Sequence, residues 1–171
     1  MSLSTNKLVE NGVYAVLCDG DSKDPSKYNW MLHVATTETG GWKFHIMPGA
    51  GKGYTFSQEL WKPLEGEKML LFSKIGEIAE EIDVECVAIY LADIEMRCPH
   101  NQTLRENGRF SSRIWAKEAV RKLSVDAGMY VRCDDVAVLE QELWRDANAA
   151  KKAGVCIFKD AKSAGPWEDD L

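Results

Sequence analysis

Apolar residues run together or alternate with polar ones as far as about residue 75, and beyond it they recur at helical spacing. Residues 13–18 (Val-Tyr-Ala-Val-Leu-Cys) form an apolar run of the length of a buried strand. Asp19-Gly20-Asp21 and the stretch to Lys27 break it as a loop. A second strand is predicted over 28–36. Thr39-Gly40-Gly41 then turns the chain into a third over 42–47, where Phe44 and Ile46 alternate with polar positions. Pro48 to Gly53 is a glycine-rich loop, followed by a fourth strand over 54–62 and a fifth over about 69–75.

The period then changes. A helical turn is expected over 77–82, and 83–96 carries Val84, Val87, Ala88 and Leu91 at helical spacing. A polar loop over 97–109 separates it from helices over 111–124 and 134–153. The last has Asp134 as its expected N-cap, a stripe of Val136, Leu139, Leu143 and Ala150, and Gly154 just past its end. Residues 159–171 read as a polar, acidic, flexible tail. Strands followed by helices, with no repeat and no linker, predict a single α+β domain over 1–171: an N-terminal antiparallel sheet of about five strands packed against C-terminal helices.

Composition narrows the function classes. The chain has 171 residues, 45% of them hydrophobic, enough for a core. Its net charge of −6 and pI near 5.2 argue against nucleic acid and anionic membranes as partners. The polar start, Met1 to Lys7, has no apolar core of a signal peptide, and no apolar run reaches the roughly 18 residues of a membrane span. Five cysteines, odd in number and scattered, read as reduced thiols, so a cytoplasmic location is expected.

The richest segment runs from Gly108 to Leu123. On a helix, Ser112, Trp115, Ala116 and Ala119 share one face, and Arg113, Lys117 and Arg121 another. Ser112 thus stands in the first turn, where backbone N–H groups favour an anion. Equally, Ser111 or Ser112 serves as a helix cap. On the second strand, alternation sets Asn29, Met31 and His33 on one face and Trp30, Leu32 and Val34 on the other. If His33 or His45 lies opposite Ser112, a nucleophile–base pair results; otherwise each is a histidine satisfied in or beside the core.

Three patterns carry less. Gly49-Ala50-Gly51-Lys52-Gly53 lacks the spacing and following helix of a phosphate loop. Cys98-Pro99-His100 has no second ligand pair at zinc-like spacing, so no metal is expected. Glu77, Glu80, Glu81, Asp83 and Glu85 read as a solvated face. Six tryptophans are many for this length, and Trp30, Trp42, Trp61 and Trp115 fall where they could line a small-molecule pocket or simply pack the core.

Asn29-Trp30 on an early strand, the glycine-marked hairpin and Ser112-Arg113-Ile114-Trp115-Ala116 opening a late helix resemble small uncharacterised fungal domains. Those domains show a His-Trp pair and a Cys-Arg-x-Trp-Val helix start. Their layout looks like a permuted papain-like fold, as in NlpC-type peptidases and relatives of lecithin:retinol acyltransferase, with cysteine opening a helix and histidine on a strand. The resemblance spans roughly residues 13–150. Here Asn29 stands in the histidine's place and Ser112 in the cysteine's, which removes thiol chemistry. His33 lies about 13 Å farther along the strand and cannot fill the vacated place.

The resemblance implies a papain-like pocket turned to binding or converting a small organic molecule without a cofactor, as in a fungal natural-product cyclase, isomerase or dehydratase. Asn29 and Ser112 would orient the ligand, His33 or His45 would move a proton, and Trp30, Trp42, Trp115 and Arg113 would line the site. The alternatives are a serine hydrolase or acyltransferase using Ser112 with a histidine, and a non-catalytic interaction module. A homodimer through Leu143 and Trp144 fits any of the three.

Overall fold

The computed structural model describes residues 7–20, 28–51, 53–63, 68–79, 83–99, 109–124 and 131–166. The elements in chain order are β1 (Gly12–Asp19), β2 (Tyr28–Ala35), β3 (Gly41–Pro48), β4 (Tyr54–Trp61), β5 (Met69–Glu77), α1 (Val84–Ala92), α2 (Ser112–Lys122), α3 (Val136–Ala153) and β6 (Ile157–Asp160). The strands form one mixed sheet in the order β4-β3-β2-β1-β5-β6. The first five strands pair antiparallel, and β6 joins β5 in parallel.

Strand alternation gives the sheet two apolar faces. One, with Trp30, Leu32, Val34, Phe44, Ile46, Leu71 and Ile75, packs against the helices through Trp115, Ala116, Ala119, Leu139 and Leu143. The other holds Tyr14, Val16, Cys18, Met31 and Phe72. The sheet curls over this second face: Trp61 of edge strand β4 stacks on Phe72 of β5 at 6.1 Å, although β3, β2 and β1 lie between them. From the opposite edge Phe158 of β6 stacks on Phe72 at 4.7 Å.

The helix ends follow local chemistry. Asp135, one residue past the expected Asp134, caps α3 by accepting from the amides of Ala137 and Val138. Gly154 closes it in the left-handed conformation at φ 68°. Asp83 caps α1. Of the helical turn expected over 77–82, Glu77 belongs to β5, 78–79 are irregular and 80–82 lie outside the described residues. Most of the expected polar loop, 100–108, lies outside them too, as do 21–27 and Lys52.

The C-terminal segment departs from the flexible tail expected over 159–171. Residues 157–160 are in the sheet, and Gly165 bridges to Arg132. Glu142, 4% exposed on α3, accepts from the amides of Lys162 (2.6 Å) and Ser163 (2.9 Å). Burial alone would raise its carboxyl pKa, but these donors hold it below the usual range. Residues 167–171 lie outside the described residues. Glu142→Gln keeps one acceptor oxygen and faces the second amide with another donor. It is expected to cost about 1–2 kcal/mol in urea unfolding and to speed amide exchange at 162 and 163; unchanged exchange at both would remove the carboxylate from this role.

Candidate functional site

The sheet parts at one place. β1 and β2 pair over seven residues and β3 and β4 over eight, but β2 and β3 pair over four, from Ala35↔Gly41 to Leu32↔Phe44. Beyond Leu32 and Phe44 the strands diverge, and the start of α2 meets the gap. There the Trp30 amide donates to Ser112 Oγ at 3.1 Å. A serine hydroxyl that accepts this bond keeps its own proton to donate. Ser111, not Ser112, caps α2, accepting from the Ile114 amide at 3.4 Å.

The gap is a cleft of about 650 Å³. Because it opens between two strands, residues of both sheet faces line it: Trp30, Ile46 and Ser112 from the helix side, and Asn29, Met31, Lys43 and His45 from the other. Cys18 closes one wall, its thiol donating to the Asn29 carbonyl at 3.7 Å.

His45 is held from behind. Its Nε2 lies 2.8 Å from Glu59 Oε1 on β4, and Lys43 Nζ lies 3.1 Å from the same oxygen. A carboxylate can only accept, so the neutral ring carries its proton on Nε2 and presents Nδ1 as the acceptor. Chiefly through its hydrogen bond with Lys43, the Glu59 carboxyl is held below the usual range. Lys43 is itself nearly buried, its side chain 8% exposed and its ammonium 4.9 Å from the centre of the Trp61 ring.

The remaining candidates are dispersed. His33 is fully buried in the closed part of the ladder, on the face away from α2, with the rings of Tyr14, Trp61 and Phe72 around it. Among the described residues neither of its nitrogens has a hydrogen-bond partner, and burial pushes its pKa down to about 4. The Ser112 hydroxyl is bonded to the Trp30 amide, and among the described residues no nucleophile–base pair is assembled. Trp115 is fully buried beside Phe56 (6.1 Å), and Trp42 packs on the same core. Arg113 turns to α3, pairing with Glu140 at 2.9 Å, and Lys117 binds the same carboxylate at 2.6 Å. Leu143 is in the core, which leaves Trp144 alone exposed of the pair expected to form a dimer face.

Among the described residues no group of three or more His, Cys, Asp or Glu side chains could hold a metal ion, and His100 lies outside them. All five cysteines are free thiols. Among the described residues no helix is long and apolar enough to cross a membrane. A second depression, of about 540 Å³, lies beside α1 and α2. Its charges pair internally, Arg121 with Glu118, Lys122 with Asp93 and Arg97 with Glu95.

Glu59 is the residue that sequence reading missed. Its signal lay in the hairpin: pairing Pro48 with Tyr54 across the glycine-rich turn sets Lys43 opposite Glu59 and His45 opposite Ser57, on one face. Compared with protein-family models, with curated proteins and with solved structures, the chain matches none.

Proposed function

We propose that the chain binds a small organic molecule in the β2–β3 cleft and moves a proton on it without a cofactor, with His45 as the proton carrier. The observation that carries this reading is the His45–Glu59 hydrogen bond on the wall of a cleft that also receives Ser112. A carboxylate behind an imidazole fixes its tautomer and stabilises its charged form, which is what a general base needs. Ser112 and Asn29 orient the ligand by hydrogen bonds, and Trp30, Met31 and Ile46 supply apolar wall.

The same geometry supports the papain-like resemblance. The two positions that the pattern gives to histidine and cysteine, here Asn29 and Ser112, line one opening, and the residue after Asn29 is bonded to Ser112. A fungal cyclase or isomerase is the class of enzyme this layout suggests. Ser112 as a nucleophile is disfavoured, because its oxygen is already an acceptor and no histidine among the described residues is hydrogen-bonded to it.

The test is the ring opening of 5-nitrobenzisoxazole, in which a base takes the proton on C3 as the N–O bond breaks to give a cyanophenolate. Turnover by the wild type is expected to fall about 100-fold in His45→Gln and to persist in Ser112→Ala. Wild-type turnover no faster than a buffer blank, or indifferent to His45→Gln, would overturn the reading.

A further inference from the structure

The cleft's charge runs against that of the chain. The protein carries a net charge of −6, yet among the described residues the ionisable side chains lining the cleft, beside the Cys18 thiol, are Lys43, Lys68, His45 and Asp19. The single carboxylate is turned to other work, since Asp19 is bonded by Lys151 of α3 at 3.1 Å. Glu59 offsets Lys43 from behind the wall and is not part of the lining. Lys68 stands exposed at the rim, with no ion-pair partner among the described residues. Trp30, Met31, Ile46, Met47 and Pro48 give the same cleft apolar wall, drawn from both sheet faces.

We propose that the ligand class is a small organic acid: an apolar body, aromatic or comparably flat, carrying one carboxylate. This rests on the reading of the cleft as a small-molecule site. The apolar side chains take the body, while Lys68 and the Ser112 hydroxyl meet the carboxylate. A neutral ligand of the same shape would leave Lys68 without a counter-charge. A cationic one would be opposed by Lys68.

The matched probes are 2-naphthoate and 2-naphthamide, equal in shape and different in charge. Binding is read by calorimetry and by the methyl resonances of Met31 and Met47, which report on the cleft itself. Naphthoate is expected to bind about tenfold more tightly than the amide. Lys68→Gln is expected to cut that preference about threefold to fivefold, and Lys68→Arg to retain it, as suits one exposed charge contact. Equal affinity for acid and amide with both methyls shifting, or a preference unchanged in Lys68→Gln, would overturn the inference and leave the cleft as a site for neutral molecules. Failure of both probes to shift Met31 and Met47 would sink the small-molecule reading along with it.

Discussion

On acidification from pH 7.5 to pH 4.5, wild-type protein is expected to lose roughly 2–3 kcal/mol of stability that a His33→Phe variant keeps. His33 is fully buried and its pKa is lowered from 6.5 to about 4. Burial is the main cause; the Trp42 backbone, near but outside hydrogen-bonding geometry, offsets part of it. A base with a depressed folded-state pKa stays neutral when folded and takes up a proton when unfolded. Its contribution is therefore intact above about pH 6.5 and is lost as pH falls toward 4. Glu59 and Glu142 also weaken in acid, but equally in both proteins, so they cancel in the difference. At pH 7.5 phenylalanine removes two unpartnered nitrogens from a box of aromatic rings, and the extra volume works against that gain. The two proteins should then agree within about 1 kcal/mol. Urea unfolding followed by tryptophan fluorescence at the two pH values measures this, and parallel losses in both would remove His33 as the cause.

Gly41→Ala is expected to cost about 3 kcal/mol and to disturb the cleft at the far end of the same strands. A methyl group at position 41 would sit 2.1 Å from the Val34 carbonyl oxygen, 2.8 Å from the Thr36 amide and 2.9 Å from Ala35 Cα. All three neighbours are backbone, so no side chain can swing away. The four-residue β2–β3 ladder begins at this residue, and the hairpin must shift to relieve the contact. The expected signature is a lowered urea midpoint together with shifted resonances at Met31 and His45. Unaltered cleft resonances in a destabilised protein would show that the strand ends move independently.

The parts of the fold legible in sequence are those fixed within one element. All five early strands lie within two residues of their expected bounds: β1, β2 and β5 because a strand buried on both faces is apolar nearly throughout, β3 and β4 because glycine-marked turns bound them. The α3 stripe is buried as expected, because one helix face meets one sheet. The missing strand, β6, is too short and too mixed to announce itself: Ile157-Phe158-Lys159-Asp160 is placed by β5 and by Glu142, which hold it from outside. The site is half legible. Helical spacing turns Ser112 toward the sheet, but alternation alone sets His33 and His45 on equivalent faces. What separates them is where two strands part company, a property of the whole sheet. Glu59 reads as surface by its charge and is half exposed in fact, so its partnership with His45 follows only from strand register.

A site made by unzipping two neighbours differs from one hollowed out of an interior. Its dimensions depend on how many rungs stay closed, while the packing around Trp115 and Leu139 is left alone. Substitutions at Asn29, His45 and Met47, which line the opening and lie outside the core clusters, would therefore reshape what fits inside without touching the residues that make the protein fold. Lineages carrying this architecture would be free to vary their chemistry faster than their scaffold.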